Sequence, residues 1–287
     1  MKNKVLTGLL LVLIGGWGNL LAQNAGSNYA RQVNTLIGTK GVGLTSGYLY
    51  PGATYPYGMV QFTPSYFSKR SGFVINQLSG GGCEHMGNFP TFPVKGKLKM
   101  SPDNILNYRI NISEEKGHAG YYEAKVQEDI HAKLTVTERT GMASYEYPAD
   151  QQYGTVIIGG GISATPIEQA AIVITAPNKC EGYAEGGNFC GLRTPYKVYF
   201  VAEFDTDALE SGTWKRNELK PNTTFAEGEY SGVYFTFDVN KKKNIQYKIG
   251  VSYVSVENAR ENLKTENSGW DFLQIQNQAE SKWNHYL

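Results

Sequence analysis

Between Gly120 and Pro148 the chain alternates apolar and polar residues, which is the pattern of a strand with one buried face. The apolar residues occupy even positions, namely Tyr122, Ala124, Val126, Ile130, Ala132, Leu134 and Val136. This alternation predicts either one long half-buried strand or a bent pair of strands. Because Arg139–Gly141 resembles a turn and alternation resumes at Ala143, we expect a hairpin over Gly120–Pro148.

Six further segments have the composition of strands, and glycine- and asparagine-rich turns separate most of them. They are Met59–Thr63, Thr155–Ile158, Ala170–Thr175, Tyr196–Phe204, Gly232–Asp238 and Ile245–Val256. Tyr29–Gly38 is compatible with a strand or a turn. Many strands without helices between them predict an all-β fold, here a large antiparallel β-sandwich (supersandwich) with a C-terminal linker helix.

The last thirty residues change to a helical pattern. Val256–Lys264 is compatible with a helix, and beyond Gly269 the apolar residues recur at helical spacing. These are Phe272, Ile275, Ala279, Trp283 and Leu287. No capping residue closes this helix, so we expect the pattern to continue beyond residue 287. The predicted division is a sandwich domain over residues 23–255 and a helical linker over 256–287.

The first 22 residues have the layout of a secretory signal peptide. Lys2 and Lys4 precede the apolar run Val5–Ile14, and Ala22 offers a small residue for cleavage. An uncleaved membrane anchor is the alternative, although the run is short for a span of about 20 residues. We therefore expect a periplasmic or secreted protein with no membrane span after signal removal, in a compartment where disulfides form.

Charge and composition point to an uncharged partner. The 287-residue chain has 27 basic and 26 acidic residues, and removing Lys2 and Lys4 with the leader leaves 25 against 26. No basic stripe suited to nucleic acid is present. The 20 tyrosines and 13% aromatic content are typical of β-proteins, and aromatic rings are also surfaces on which sugars stack.

The stretch Gly72–Pro93 contains more glycine and polar residues than a connector requires. Four glycines, Gly80, Gly81, Gly82 and Gly87, predict left-handed backbone or close approach to a ligand. Polar side chains surround them: Asn76, Gln77, Ser79, Cys83, Glu84, His85 and Asn88. We interpret this glycine loop, defined as residues 76–88, as a binding surface.

Three cysteines leave one without a partner inside the chain. Cys180 and Cys190 enclose a loop-like segment that a disulfide could close, which is the pairing we expect, with Cys83 then free in the glycine loop.

Catalytic chemistry has weak support in these residues. Cys83, His85 and Asn88 are too close in sequence for a nucleophile and its base to converge well, and they lack a second ligand pair for zinc.

The carboxylate pairs that could act as general acid and base are also weak candidates. The side chains of the adjacent acids Glu114/Glu115 and Glu128/Asp129 should face opposite ways in strands. Asp205 and Asp207 are expected to be solvated charges at a strand end. The segment Glu138–Gly141 is compatible with an ion pair or with an exposed hairpin tip.

Several blocks, in order, resemble the N-terminal domain of glycoside hydrolase family 92. They are Val33–Thr39, Tyr50–Gln61, Leu78–Cys83, Gly120–Tyr122, Leu134–Gly141 and Val254–Leu263. The resemblance implies a calcium-dependent, inverting, exo-acting α-mannosidase. In that family a β-sandwich packs on an (α/α)6 barrel, which carries the general acid, the general base and most calcium ligands.

The resemblance therefore implies substrate contacts and no catalytic residue in this chain. The matching positions are Gln77, Gly81, Gly82, Cys83, Glu84, His85 and Asn88. Many members have His-Leu-Ser-Gly-Thr-Gly followed by Asp, whereas this chain has Gln77, Gly81 and Glu84 at the corresponding places. This departure from the family pattern weakens the expectation of a particular linkage preference more than the expectation that the sugar is mannose.

Two hypotheses follow for the whole chain. The first is the non-catalytic N-terminal part of an exo-α-mannosidase that acts on mannose-containing glycans, with a C-terminal barrel as its partner domain. The second is a free-standing carbohydrate-binding sandwich. The apolar face at Phe272, Ile275 and Trp283 favours the first, because we expect that face to be left open for the barrel, with poor solubility of the isolated chain as a consequence.

Overall fold

A computed structural model describes residues 28–39, 49–65, 72–83, 85–103 and 111–287. The predicted signal peptide and Glu84 lie outside the described residues. Within these ranges, no helix combines the length and apolar composition that crossing a bilayer requires.

The described residues form seventeen strands and two α-helices, which confirms the all-β fold. The strands are β1 Ala53–Thr54, β2 Gln61–Pro64, β3 Phe73–Val74, β4 Thr91–Lys95, β5 Ile112–His118, β6 Tyr121–Val126, β7 Ile130–Val136, β8 Thr140–Glu146, β9 Tyr153–Ile158, β10 Ile167–Ala176, β11 Lys179–Phe189, β12 Leu192–Phe204, β13 Glu210–Lys215, β14 Glu218–Pro221, β15 Phe225–Glu227, β16 Ser231–Asp238 and β17 Asn244–Ser252. The helices are α1 Val256–Glu266 and α2 Phe272–Tyr286.

Two antiparallel sheets contain all these strands. The eight-stranded sheet has the order β1-β2-β3-β4-β9-β16-β13-β14, and the nine-stranded sheet has the order β15-β10-β11-β12-β17-β8-β7-β6-β5. The segment 181–189, expected to be a loop, instead belongs to the interior strand β11, which pairs with both β10 and β12. Within Tyr29–Gly38, which was expected to be a strand or a turn, Ala30–Gln32 forms a 3-10 helix and residues 35–38 form a turn.

The alternating segment is a three-stranded meander and not a two-stranded hairpin. Strand β6 pairs with β7 in the register Ala124↔Ala132, and β7 pairs with β8 in the register Leu134↔Ala143. The chain turns between β6 and β7 through Gln127 and Glu128, both with positive φ. The even-numbered apolar positions are buried, as the alternation predicts.

Aromatic side chains from both sheets meet in the core. The ring of Phe204, on β12, lies 4.9 Å from that of Phe235 and 5.1 Å from that of Phe237, both on β16 of the other sheet. It also lies 5.3 Å from the ring of Tyr247 on β17. Because large aromatic rings bury much apolar area, this cluster is a main source of the attraction between the sheets.

Helix α1 lies on the outer face of the nine-stranded sheet. Ser255 caps its first turn by accepting a hydrogen bond from the Asn258 backbone at 3.1 Å. Ala259 and Leu263 pack on Val201 of β12. At its other end Glu266 pairs with the Arg139 guanidinium and accepts from the Arg139 backbone at 2.9 Å. The turn before Gly141 therefore combines both alternatives, because Arg139 is ion-paired while Glu138 at the tip is exposed.

Helix α2 packs its apolar face on the sandwich, which corrects the expectation of an open face. Ile275 and Ala279 are buried, and the Trp283 indole donates to the Thr54 carbonyl at 2.7 Å. Apolar groups on its other sides remain exposed, including Leu273 at 58%. The face at Phe272, Ile275 and Trp283 is therefore not an open docking surface. The predicted poor solubility depended on that face being exposed, so it is no longer expected.

Candidate functional site

The glycine loop joins β3 to β4 at one end of the sandwich. Gly80, Gly82 and Gly87 have φ of +74°, +74° and +70°, which confirms the predicted left-handed backbone. Gly81 is required for a different reason: a Cβ there would lie 2.4 Å from Cε1 of His85. The loop therefore needs glycine for backbone conformation at three positions and for space at a fourth.

Two asparagines close the base of the loop. The Asn88 backbone donates to Oδ1 of Asn76 at 2.7 Å, and the Asn76 amide donates to Oδ1 of Asn88 at 3.0 Å. The Tyr196 hydroxyl donates to the same Asn88 oxygen at 2.7 Å. Burial raises the pKa of Tyr196 well above its ordinary value, so the hydroxyl keeps its proton. Strand β12 thus fixes the base of the loop.

Gln77 and His85 fill the space under the loop. The Gln77 amide donates to the His85 carbonyl at 2.8 Å, and Nδ1 of His85 lies 2.9 Å from the Cys83 carbonyl. Because a carbonyl only accepts, this contact assigns the proton to Nδ1 and leaves Nε2 as an acceptor.

Three buried polar atoms of these residues have no hydrogen-bond partner within the described part of the chain. They are Oε1 of Gln77, Nε2 of His85 and Nδ2 of Asn88. Leaving a buried polar atom unpaired costs about 1–3 kcal/mol. All three lie beneath one loop, out of contact with solvent in this conformation.

The disulfide joins Cys83 to Cys190, which corrects the expected pairing of Cys180 with Cys190. The two Cα atoms lie 5.4 Å apart across 107 residues of sequence. Cys180 is a free, buried thiol whose pKa is raised by burial. It sits near the start of β11 and Cys190 follows the end of that strand, so about ten extended residues separate them by roughly 33 Å. That distance excludes a bond between them.

The disulfide brings the β11–β12 hairpin tip, defined as residues Asn188–Leu192, against the glycine loop. The ring of Phe189 meets the His85 imidazole edge to face, with centroids 4.7 Å apart. Asn188 Oδ1 accepts from the Gly191 backbone at 2.9 Å and shapes the turn. Sequence reasoning missed this tip because residues 181–189 were interpreted as a loop.

The predicted contact residues divide into an exposed rim and a buried base. Gly82 is exposed, and Gly81 and Cys83 are half-buried. Gln77, His85 and Asn88 are at most 3% exposed. Glu84 lies outside the described residues. The loop therefore presents mainly backbone groups to solvent, with the polar side chains beneath them.

Three of the carboxylates considered for catalysis, Glu114, Asp129 and Asp205, are held in ion pairs, whereas Asp207 is exposed as expected. Glu114 accepts from Lys125 at 2.7 Å, and this hydrogen bond lowers its pKa. Asp129 pairs with Lys95 at 2.7 Å. The Asp205 side chain is 6% exposed and pairs with Lys242 at 2.7 Å, which corrects its assignment as a solvated strand-end charge. None of these pairs forms a general acid and base.

Comparison with known proteins relates the chain to one domain of a glycosyl hydrolase family. The sequence profile of a family described as "Glycosyl hydrolase family 92 N-terminal domain" matches residues 32–252. A relative from Arthroderma benhamiae, described as an uncharacterized secreted glycosidase, is 26% identical over 296 residues, covering 90% of this chain and 38% of the relative.

Solved structures share the fold. A family GH92 alpha-mannosidase from Bacteroides thetaiotaomicron has a TM-score of 0.74 and 24% identity, covering 88% of this chain and 37% of the other. A family GH92 inverting mannosidase from the same species has a TM-score of 0.71 and 23% identity, covering 88% of this chain and 35% of the other. The chain thus spans little more than a third of the length of these proteins.

Proposed function

Because the chain belongs to glycosyl hydrolase family 92 through that family's N-terminal domain, we propose that it is the sandwich domain of an exo-acting α-mannosidase. In this proposal the whole protein removes terminal mannose from mannose-containing glycans with inversion. The chain contributes the glycine loop to the mannose pocket and contributes no catalytic carboxylate. Export to the periplasm or beyond is part of the proposal, and the secreted relative supports it.

The observation that carries this proposal is the backbone at the rim of the glycine loop. Gly80 and Gly82 are exposed, and Gly81 and Cys83 are half-buried, so this part of the loop presents backbone N–H and C=O groups to solvent. A sugar hydroxyl both donates and accepts, so a polyhydroxylated ligand suits a rim that offers both kinds of group. Oε1 of Gln77, Nε2 of His85 and Nδ2 of Asn88 lie beneath this rim and would contact a ligand only if the loop moved.

Catalysis is assigned to a following (α/α)6 barrel. An inverting glycosidase needs two carboxyl groups about 6.5–9.5 Å apart with water between them. Calcium is assigned to the barrel as well, as the family resemblance implies. In the described part of the chain no three His, Cys, Asp or Glu side chains converge, so the residues there offer no carboxylate cluster for calcium.

A second candidate is a free-standing carbohydrate-binding module. The packing of Ile275, Ala279 and Trp283 onto the sandwich favours it, since a helix that is already covered on its apolar face does not need another domain there. Reading the source DNA beyond codon 287 separates the two candidates. An in-frame helical domain with suitably placed carboxylates supports the mannosidase, and an immediate stop supports the module.

The direct test uses the purified chain with two measurements. We expect no hydrolysis of 4-nitrophenyl α-mannoside above the buffer rate, with or without added calcium. We expect mannose to bind with a Kd on the order of 1 mM, equivalent to about 4 kcal/mol. Hydrolysis by the chain alone would overturn the non-catalytic role, and absence of mannose binding would overturn the role of the loop.

A matched pair of variants locates the binding. Gly81→Ala would place its Cβ against the His85 ring, so it should weaken mannose binding by about tenfold, or ~1.4 kcal/mol. Gly269→Ala has no atom within 4 Å of the new Cβ and should leave binding unchanged. Equal affinities for both variants would place the sugar elsewhere.

A further inference from the structure

The hairpin tip offers an apolar surface beside the polar glycine loop. Phe189 is 38% exposed and Leu192 is 69% exposed, although both are large apolar side chains. Cys190 and Gly191 turn the chain with φ of 51° and 86°. These apolar side chains are therefore held out at the end of a long β-hairpin.

Two contacts fix the position of Phe189 relative to the loop. Its neighbour Cys190 is bonded to Cys83, and its ring packs on His85 with a centroid distance of 4.7 Å and an interplanar angle of 77°. A covalent bond and an aromatic contact at adjacent residues leave the ring little freedom to move. Phe189 therefore stands at a defined place beside the rim of the glycine loop, where Gly82 is exposed and Gly81 is half-buried.

We propose that Phe189 is a specificity-determining contact for a second sugar unit, adjacent to the mannose held by the glycine loop. This inference rests on the proposed function. The exposed backbone groups of the loop match the hydroxyls of one sugar, whereas an aromatic ring matches the apolar C–H face of another. A polar surface beside an apolar one thus selects a ligand of at least two sugar units over free mannose.

The test compares mannose with the α-1,2-, α-1,3- and α-1,6-linked mannobioses by calorimetric titration of the purified protein. We expect the wild type to bind at least one mannobiose ~3- to 10-fold tighter than mannose, the range of an aromatic contact. Phe189→Ala should remove this preference and change the mannose Kd by less than about twofold. Phe225→Ala, which changes an exposed phenylalanine on β15, should keep the preference.

The outcomes separate this inference from the proposed function. A wild type that binds mannose without preferring any mannobiose overturns the inference and leaves the proposed function standing. A Phe189→Ala variant that keeps the preference, or that weakens both ligands equally as a purely structural residue would, also overturns it. A wild type that binds none of the four sugars overturns both.

The double variant Cys83→Ser/Cys190→Ser tests how Phe189 is positioned. Without the disulfide we expect the mannobiose preference to fall as it does in Phe189→Ala, because the tip is no longer bonded to the loop. A double variant that remains folded by circular dichroism and keeps the full preference would show that the disulfide does not position the ring.

Discussion

Lys248 is a buried cation on β17 that binds the turn between the two helices. It is 3% exposed, and its ammonium donates to the carbonyls of Asn267 at 2.9 Å and Ser268 at 3.2 Å. The Trp270 ring centroid lies 4.3 Å from the same nitrogen, and Glu203 lies 3.7 Å away. Burial lowers the pKa of Lys248, and these partners compensate for much of the cost of burying the charge.

Replacing this lysine should destabilise the domain. In Lys248→Met the side chain keeps its length, but the Asn267 and Ser268 carbonyls lose their donor. Glu203 loses one of its two cations and keeps Lys179 at 3.0 Å. We expect the free energy of unfolding to fall by about 2–4 kcal/mol, measured by urea denaturation. Lys241→Met is the control, because the Lys241 side chain is 84% exposed and should contribute less than about 0.5 kcal/mol. Equal midpoints for the two variants would contradict this role.

At the scale of elements, each helix docks through a specific local feature. Helix α1 approaches β17 closely because Gly250 has no side chain: a Cβ there would lie 2.5 Å from the Ala259 carbonyl. Helix α2 docks through Glu280, which is 3% exposed and accepts from Arg31 at 2.9 Å and from Gln276 at 2.7 Å. Helix α1 is thus positioned by close packing at Gly250, and α2 by the buried Glu280 carboxylate together with the packing of Ile275 and Ala279.

The packing of α1 can be tested by adding one methyl group. Gly250→Ala should force α1 away from the sheet and lower the free energy of unfolding by about 1–3 kcal/mol, the usual cost of overpacking. For a domain of this size that corresponds to a loss of roughly 2–4 °C in Tm for each kcal/mol, measured by calorimetry. A Gly250→Ala protein as stable as the wild type would show that α1 is loosely packed.

The docking of α2 should depend on pH. Burial acts to raise the pKa of Glu280, but hydrogen bonds from Arg31, Gln276 and Asn28 outweigh it and hold the pKa below 4.5, its ordinary value. A carboxyl group whose folded pKa is lowered stabilises the fold fully above its unfolded pKa and loses that contribution as pH falls through the folded pKa.

We therefore expect the stability difference between wild type and Glu280→Gln to be about 1–3 kcal/mol at pH 7 and to shrink below about pH 4.5. Urea midpoints measured at pH 7, 5 and 3.5 give this difference directly. Other carboxylates titrate in both proteins and cancel in the comparison. A difference that stays constant across this range would exclude Glu280 as the titrating group.

At the scale of the whole molecule, the disulfide connects the two sheets. Cys83 lies between β3 and β4 of the eight-stranded sheet, and Cys190 lies between β11 and β12 of the nine-stranded sheet. The aromatic cluster around Phe204 joins the same two sheets through the core. The sandwich is therefore held by apolar packing inside and by one covalent bond at the end that carries the glycine loop.

The pairing has a chemical test. Digestion without reductant should release Cys83 and Cys190 in one linked peptide, identified by mass spectrometry. Cys180 should resist alkylation in the folded protein and react after denaturation, because burial raises the pKa of its thiol. Removing the disulfide by Cys83→Ser/Cys190→Ser should cost about 2–5 kcal/mol. A linked peptide containing Cys180 would contradict the structure.

The sequence alone determined the features that depend on neighbouring residues. The alternation between Gly120 and Pro148 predicts strands because side chains in a strand face opposite ways at successive positions. Glycine at positions 80, 82 and 87 predicts left-handed backbone because glycine adopts it without steric cost. The ordered family blocks likewise led to the family whose profile matches residues 32–252.

Only the tertiary structure decided which distant segments meet. Cys180 and Cys190 are close in sequence but lie towards opposite ends of one extended strand, while Cys83 is brought to Cys190 across 107 residues by the packing of two sheets. The apolar face of α2 indicates burial without specifying a partner, and the sandwich itself covers Ile275 and Ala279. Phe189 was likewise identified as part of the candidate site only from the structure. Hydrophobic periodicity indicates which face of an element is buried, whereas only the folded chain determines which residues lie against that face.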